Sequence, residues 1–196
     1  AEYKYDGTRL QVHLDRRAET KKSLSLQPEF SIFNFQFSIN DKVEMYTRNM
    51  ERVEAMFPDV VQAIVKDVKA DTVILDGEAV GFDPQSGKFL PFQETIQRKR
   101  KYDVTEMSKK IPVKYFVFDI LLKDGKDLTS RPLNERRQIL KETIKKDSDS
   151  ILLSEELVTD DPEKLQEYFL EVKKKGLEGL VVKKLDGPYE AGNRGF

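Results

Sequence analysis

The run VKYFVFDILLKDGKDL, residues 113–128, constrains the fold of this chain more than any other stretch. It begins with a long, largely apolar segment rich in aromatic and β-branched side chains, which is typical of a buried strand. KDGK follows, and Asp-Gly is a frequent dipeptide in tight hairpin turns. The run therefore predicts a β-hairpin, and with it a sheet built from antiparallel strands.

Further strands are indicated on both sides of this hairpin. AEYKY and RLQVHLD alternate apolar and polar residues around Asp6-Gly7, which predicts two strands joined by a tight turn. FSIFNFQFSIN also alternates, and DKVEMYTRN is interpreted as its hairpin partner. TVILDGEAVGFD and LEGLVVKKL complete the predicted strands.

Helices are predicted between these strands. PDVVQAIVKDV, PLNERRQILKETIKK and DPEKLQEYFLEVKKKG are amphipathic, and each has a proline near its start. Gly176 is the expected C-terminal cap of the last one. PFQETIQRKRK is predicted to form a short helix that ends in a basic run. Antiparallel hairpins punctuated by helices indicate an α+β fold.

Length and composition narrow the possible functions. The 196 residues suit one domain with a real core, and no apolar run reaches the roughly 20 residues of a membrane span. No signal peptide or cysteine is present, which fits an intracellular protein. The 34 basic and 35 acidic side chains leave a formal charge of -1, so a polyanion must be bound through local patches or other parts of the protein.

Several charged side chains lie in segments that otherwise read as buried strands. Asp76 and Glu78 interrupt one strand and, two residues apart, point to the same face. Asp119 follows YFVF, while Glu178 and Lys183 flank GLVV. Unpaired buried carboxylates are costly, so these groups are expected to be partnered, metal-bound or in a cleft. Such a cavity would suit magnesium and phosphate, because magnesium prefers oxygen ligands and lysines balance phosphate charge.

Each pattern taken singly also has a simpler explanation. A lone K-x-D-G suits a surface turn, and LDGEAV suits a strand with a bulge. RKRK is typical of a solvated basic patch, and the aromatics of FSIFNFQF suit sheet packing. His13, the one histidine of the sequence, is assigned no role.

The order of the patterns is more informative than any one of them. K-x-D-G-x-R at Lys4 to Arg9 is followed by YTRN, LDGEAV, FQETIQRKRK, YFVFDIL and EGLVVKKLDGPYEAGNRG. Together these blocks resemble the nucleotidyltransferase (adenylation) domain of ATP-dependent DNA ligases, closest to the replicative type of archaea, eukaryotes and some bacteria. The resemblance covers nearly the whole chain. The PFQ…RKRK block separates DNA ligases from capping guanylyltransferases and RNA ligases.

The resemblance implies a fold and a nucleotide site. The fold would be the ATP-grasp-like nucleotidyltransferase domain, with two antiparallel sheets flanked by helices and the active site in the groove between them. Lys4 matches the lysine that attacks the α-phosphate of ATP and carries AMP as a covalent intermediate. The other matches are Glu2 near the adenine amino group, Arg9 and Arg48 at the nucleotide or nick phosphate, Glu78 near ribose and metal, Phe118 stacked on adenine, and Lys183 at the α-phosphate.

Metal and DNA contacts are implied in the same way. Glu78 and Glu178 match the metal-binding residues, with Mg2+ as the expected ion and Mn2+ as a substitute. The basic run Arg98, Lys99 and Arg100 is predicted to contact the DNA backbone. The implied substrate is nicked double-stranded DNA in replication and repair, and we expect a monomer that a sliding clamp could recruit. The open alternatives are an RNA ligase or capping-type enzyme, and a non-catalytic DNA-clamp module.

The chain departs from the family pattern in two places. Residues 16–40 are longer than the hairpin that most relatives carry there, and we interpret them as an inserted loop with extra strand pairing. The chain stops at GNRGF, before the family's last lysine-rich motif. The expected domain therefore spans residues 1–196, without the upstream DNA-binding domain and the OB-fold that follows in relatives.

Overall fold

A computed structural model of the chain describes residues 1–17, 42–99 and 104–192. Within these ranges the strands are β1 (Glu2–Lys4), β2 (Thr8–Asp15), β3 (Lys42–Thr47), β4 (Thr72–Gly81), β5 (Val113–Lys123), β6 (Lys126–Asp127), β7 (Ile151–Leu153) and β8 (Gly179–Val181). The helices are α1 (Pro58–Asp67), α2 (Phe92–Thr95), α3 (Val104–Lys110), α4 (Leu133–Thr143) and α5 (Pro162–Lys174). Single 3₁₀ turns lie at Glu54–Met56 and Ile96–Lys99.

The strands form two sheets, which confirms the predicted fold class. The larger sheet has the order β3-β2-β4-β5-β6, with every pair antiparallel, and β7 lies parallel to β5. The smaller sheet consists of β1 and β8, which are antiparallel. None of the helices in the described part of the chain has the length and apolar character that a membrane span needs.

The predicted hairpin around Asp6-Gly7 is wrong. Lys4 at the end of β1 pairs with Gly179 in the small sheet, whereas Thr8 at the start of β2 pairs with Ala79 in the large sheet. The three residues between these strands, Tyr5, Asp6 and Gly7, therefore carry the chain from one sheet to the other. Alternation identified both strands correctly, but it contains no information about which strand each one pairs with.

Other predicted elements agree with the structure. The β5–β6 hairpin turns at Asp124 and Gly125, both with positive φ, and α1 begins at Pro58. The Asp161 side chain caps α5 by accepting a hydrogen bond from the Glu163 backbone N–H at 2.9 Å, and Gly176 follows the helix with φ of 79°. The predicted strand at residues 30–40, and most of the predicted insertion at 16–40, lie outside the described residues.

The large sheet buries apolar side chains on both faces, but against different elements. One face packs against α1 and α4 through a core that includes Leu10, Val12, Leu75, Val117, Phe57, Ile64 and Leu140. On the opposite face, a second cluster joins the large sheet to the small sheet and α5 through Tyr3, Tyr5, Val80, Phe116, Val172 and Leu177. The small sheet is therefore held against one end of the large sheet, beside the exposed face of β2 that carries Arg9.

A β-bulge in β5 changes the direction of one aromatic side chain. Gly77 pairs with Val117 and Asp76 pairs with Asp119, so Phe118 is an extra residue with no partner in β4. A bulge of this kind bends the strand and turns a side chain out of the regular alternation. It gives Phe118 its position next to the small sheet.

Candidate active site

Lys4 lies where the two sheets meet. The pairing of Lys4 with Gly179 brings Glu178, the residue before β8, beside the lysine, and the Lys4 ammonium donates a hydrogen bond to Glu178 Oε2. The side chains of Lys4 and Glu178 are 53% and 40% exposed. The amine is therefore held at a fixed place and remains accessible to a ligand.

The turn after Lys4 is fixed by contacts on both sides. Asp6 Oδ2 accepts a hydrogen bond from the Phe92 backbone N–H at 3.1 Å, at the first residue of α2. A Cβ atom at Gly7 would lie 2.4 Å from the Ala79 carbonyl oxygen, so a larger residue would force the backbone away from β4. The K-x-D-G stretch is thus a packed junction that orients Lys4, not a solvent-exposed hairpin.

Glu2 and Lys183 form a second ion pair between β1 and the end of β8. The Lys183 ammonium donates to Glu2 Oε2 at 2.8 Å, and the buried Glu2 carboxylate also lies 4.0 Å from Arg137 Nη1. Lys183 Nζ lies 4.8 Å from the centre of the Phe118 ring, within the range of a cation–π contact. The site therefore brings the Glu2–Lys183 pair next to the bulged aromatic residue.

Arg9 supplies a second cation beside Phe118 from the large sheet. Its Nε and Nη2 atoms donate to the two oxygens of Asp76 at 3.0 and 2.5 Å, and its Cζ atom lies 5.8 Å from the Phe118 ring centre. This bidentate pair neutralises the Asp76 carboxylate, which is 1% exposed. Arg9 itself keeps 45% of its side chain exposed, next to the aromatic ring.

The fold clearly changes the pKa of one acidic side chain of the site, Glu78. It pairs across the strands with Arg9 and accepts a hydrogen bond from the Gly7 backbone N–H. Burial raises the pKa of Glu78 to about 8, and the nearby Asp76 and Asp6 charges act in the same direction, while Arg9 and the Gly7 N–H oppose them. In the absence of a bound cation this carboxyl group is therefore mostly protonated at neutral pH.

The acidic residues match the oxygen chemistry of a magnesium site. Magnesium binds proteins through one or two carboxylates, with waters and substrate phosphates as its other ligands. Glu178 offers an exposed carboxylate beside Lys4, and the raised pKa of Glu78 is the property that a nearby cation would reverse. Among the described residues no cluster of three or more acidic or histidine side chains could hold a metal alone. The donor set fits a metal that shares its ligands with a nucleotide.

The remaining predicted site residues lie elsewhere. Arg48 is exposed and follows Thr47, which pairs with Leu10, so it lies near the end of β2 that carries Arg9. Arg98 lacks the exposed side chain that the predicted contact with DNA needs. It is buried and donates two hydrogen bonds to Asp59 at 2.8 and 2.7 Å. The solvated patch that the RKRK run suggests when taken singly does not describe Arg98 either, because its guanidinium packs over the Phe57 ring. The Lys99 side chain and Arg100 lie outside the described residues.

The sequence did not reveal the partners of the two buried aspartates. Asp76 accepts hydrogen bonds from Arg9 and from the Tyr189 hydroxyl, while Asp119 forms a bidentate pair with Arg136 of α4 at 2.8 and 3.0 Å. The sequence did indicate that such partners exist, since a carboxylate within an apolar strand requires a cation or hydrogen-bond donors. No spacing rule identifies donors that lie 17 or 113 positions further along the chain.

Comparison with known proteins gives consistent matches. A family model described as "ATP dependent DNA ligase domain" matches residues 35–196. The chain is 42% identical over 173 residues to a "Probable DNA ligase" of Dictyoglomus turgidum, covering 88% of this chain and 30% of that protein. It is 39% identical over 197 residues to a "DNA ligase" of Sulfophobococcus zilligii, covering 100% of this chain and 28% of the relative. The chain thus spans less than a third of these relatives.

Solved structures show the same architecture. The structure titled "mycobacterial DNA ligase D complexed with ATP and MES" is 25% identical, with a TM-score of 0.63 over 97% of this chain and 50% of that one. The Chlorella virus DNA ligase-adenylate structure is 16% identical, with a TM-score of 0.56 over 96% of this chain and 55% of that one. The second likeness concerns the fold alone. The arrangement of the sheets in this chain is therefore similar to that of the proteins with these titles.

Proposed function

Because this chain belongs to the ATP-dependent DNA ligase domain family, we propose that it is an adenylation domain in which Lys4 attacks the α-phosphate of ATP. The observation that carries the proposal is the position of the Lys4 amine. It is half exposed at the junction of the two sheets, in contact with Glu178. Arg9 and Lys183 both lie beside Phe118. An aromatic ring flanked by two cations suits a nucleotide, because the ring can stack on the base and the cations can bind the phosphates.

In the first step the Lys4 nitrogen forms a bond to the α-phosphorus as the bond from this phosphorus to the pyrophosphate oxygen breaks. An ammonium group has no free electron pair, so Lys4 must first lose a proton. Glu178 already accepts a hydrogen bond from this ammonium, which makes its carboxylate a suitable proton acceptor. The products are a lysine-AMP phosphoramidate and pyrophosphate.

The neighbouring side chains suit the remaining parts of ATP. Phe118 would stack on the adenine, a contact worth roughly 1–3 kcal/mol for a base on an aromatic ring. Glu2 would accept a hydrogen bond from the adenine amino group, while Lys183 would neutralise the α-phosphate. In the free protein Glu2 and Lys183 bind each other, so nucleotide binding would have to divide this pair between base and phosphate. Arg9 and Arg48 would contact phosphate groups.

Glu78 and Glu178 would hold a magnesium ion, or manganese in its place, together with the nucleotide phosphates. When bound, such an ion supplies positive charge that polarises the phosphoryl oxygens and stabilises the leaving pyrophosphate. Glu78 would then lose its proton, since a neighbouring cation lowers the pKa of a carboxyl group. A role as a metal ligand would account for the presence of a half-buried carboxyl group beside Gly7.

The later steps would take place on nicked double-stranded DNA in the full-length protein during replication and repair. AMP would pass from Lys4 to the 5′-phosphate of the nick, and the 3′-hydroxyl would then attack this phosphate and release AMP. Lys99 and Arg100 stay proposed contacts for the DNA backbone. A monomer that a sliding clamp recruits is the assembly we propose.

The test is covalent labelling of the full-length protein with ATP that carries 32P at the α-phosphate, in the presence of magnesium. We expect an acid-labile label that Lys4→Ala abolishes without lowering the melting temperature. Lys126→Ala is the matched control, because Lys126 is an exposed lysine in the β5–β6 hairpin, away from the site. A label that persists in Lys4→Ala would contradict the proposal, as would labelling by GTP but not by ATP.

A further inference from the structure

Tyr189 extends the Arg9–Asp76 pair to a third side chain. Its hydroxyl group donates a hydrogen bond to Asp76 Oδ2 at 3.0 Å and accepts one from Arg9 Nη2 at 3.3 Å. Burial and the Asp76 charge raise the pKa of Tyr189 to about 12, so the hydroxyl keeps its proton at neutral pH. The three side chains form a closed arrangement of donors and acceptors.

This arrangement binds one edge of the Arg9 guanidinium and leaves the other edge open. Nε and Nη2 are engaged by Asp76 and Tyr189, whereas Nη1 donates no hydrogen bond to any residue in the described ranges. A purely structural arginine would be expected to bury its head group and use all of its donors. Arg9 instead keeps 45% of its side chain exposed beside Phe118.

Tyr189 is itself fixed by the segment that follows β8. Its backbone N–H donates to the Thr129 carbonyl oxygen at 2.8 Å, and the Gly187 carbonyl accepts a hydrogen bond from Arg136 Nη1 at 3.1 Å. This segment begins at Lys183, whose ammonium donates to Glu2 and lies 4.8 Å from the centre of the Phe118 ring. One stretch of chain thus contributes both Lys183 and the hydroxyl group that contacts Arg9.

We infer that Asp76 and Tyr189 are positioning residues that hold the Nε–Nη2 edge of Arg9, so that Nη1 is left for a nucleotide phosphate bound beside Phe118. The inference rests on the proposed function, to which it adds the side chains that act through Arg9. A long arginine side chain that is ordered before its ligand arrives loses less conformational entropy on binding. Loss of the Tyr189 hydroxyl should therefore weaken nucleotide binding while the reacting lysine is unchanged.

The first experiment compares Tyr189→Phe with the unaltered full-length protein in the α-32P labelling reaction. We expect the KM for ATP to rise about tenfold, with the maximal labelling rate within about twofold, as for an interaction made equally in the ground and transition states. Tyr46→Phe is the matched control, because the Tyr46 hydroxyl contacts Glu44 on β3 and no site residue. An unchanged KM in Tyr189→Phe would overturn the inference.

A double-mutant cycle separates positioning from general support of the fold. In an Arg9→Met background, Tyr189→Phe should change the KM for ATP by less than about twofold, because the residue through which it acts is gone. Equal effects in both backgrounds would mean that Tyr189 acts independently of Arg9 and would contradict the inference.

The same cycle measured in melting temperatures needs no nucleotide. It should show coupling between Arg9 and Tyr189 even if the protein takes no label from ATP. A protein that shows this coupling but takes no label would contradict the proposed function and not the interaction between the two side chains. Additive changes in melting temperature would show that the two side chains do not interact, and would overturn the inference whatever the labelling result.

Discussion

The Lys4–Glu178 and Arg136–Asp119 ion pairs have the same charges in opposite surroundings. The side chains of the first are 53% and 40% exposed, whereas those of the second are 3% and 4% exposed. Arg136 also donates to the carbonyl oxygens of Arg131 and Gly187, so most of its donors are used within the protein. Lys4 has one described partner and an accessible amine.

The difference separates an ion pair that supports the fold from one that is available for chemistry. A buried pair cannot lose one partner without leaving an uncompensated charge in a medium of low polarity. An exposed pair can, because water replaces the missing partner at little cost in free energy. The buried pair is still close to the site in sequence, since Asp119 follows the bulged Phe118, whose ring lies 4.8 Å from Lys183 Nζ.

The largest effect is expected from breaking the buried pair. Asp119→Ala removes the partner of the buried Arg136 guanidinium, and we expect a loss of about 3–5 kcal/mol in the free energy of unfolding. The measurement is denaturant unfolding of this domain in the full-length protein, followed by a probe within the domain. Arg136 would also lose its fixed hold on Gly187, so the segment that carries Tyr189 should become less protected in hydrogen exchange.

Glu135→Ala is the control for that experiment. Glu135, in the first turn of α4, pairs at 3.4 Å with Arg131, which lies just before the helix, and both side chains are exposed, so the loss of Glu135 should cost no more than about 0.5 kcal/mol. Equal destabilisation by the two substitutions would show that burial does not distinguish these ion pairs.

An intermediate effect is expected at Glu78, and it depends on pH. The pKa of Glu78 is about 8 in the folded protein, above the ordinary value of 4.5, so the folded state keeps a proton that the unfolded state has lost between these values. The contribution of Glu78 to the free energy of unfolding is therefore fully present below about pH 4.5, and it is lost as the pH rises through 8. Glu78→Gln, which never ionises, should therefore become more stable than the unaltered protein as the pH increases.

The measurement is the melting temperature of the metal-free and nucleotide-free protein between pH 5 and 9. The shifted pKa corresponds to about 4 kcal/mol of pH-dependent stability across this range, at about 1.4 kcal/mol per pH unit. On a scale of about 2–4 °C per kcal/mol for a domain of this size, we expect the difference between the two proteins to grow by roughly 8–16 °C. Glu142→Gln, at an exposed position of α4 where Glu142 contacts Gln138, should show no such trend. A constant difference between Glu78→Gln and the unaltered protein would refute the raised pKa.

The sequence predicted the strands better than it predicted how the strands pair. The β5–β6 hairpin and α1 follow from local patterns of turn residues and apolar periodicity, which depend on neighbours in the chain. The separation of β1 from β2 does not, because it depends on β8, which is more than 170 residues away. The bulge at Phe118 likewise appears only when β4 and β5 are aligned.

Charged residues show the same limit. The order of the motifs predicted Lys4, Glu178 and Lys183 in one site, and in the structure Lys4 contacts Glu178 while Lys183 contacts Glu2 on the strand that carries Lys4. Arg98 was misjudged, because a basic run looks solvated in sequence even when one member reaches a buried acidic partner such as Asp59. Burial of a single residue is decided by tertiary contacts, which composition does not encode.

The smallest effect on stability, combined with a large effect on activity, is expected at Glu178. Glu178→Gln keeps the shape of the side chain but removes the negative charge beside Lys4. Since the pair is exposed, the free energy of unfolding should change by no more than about 0.5 kcal/mol. The rate of α-32P labelling should fall at least about 100-fold, equivalent to about 2.7 kcal/mol, because the proton acceptor and a proposed metal ligand are both lost.

Glu155→Gln tests whether any exposed lysine–glutamate pair near β1 would give the same result. Glu155 pairs with Lys175 at 3.6 Å, and their side chains are 63% and 42% exposed, which resembles the exposure of the Lys4–Glu178 pair. Its substitution should leave both stability and labelling unchanged. A loss of labelling in Glu155→Gln equal to that in Glu178→Gln would mean that general surface charge, and not the carboxylate in contact with Lys4, controls the reaction. If Glu178→Gln instead unfolded the domain, the exposed pair would be structural after all, because water could not then replace the missing charge.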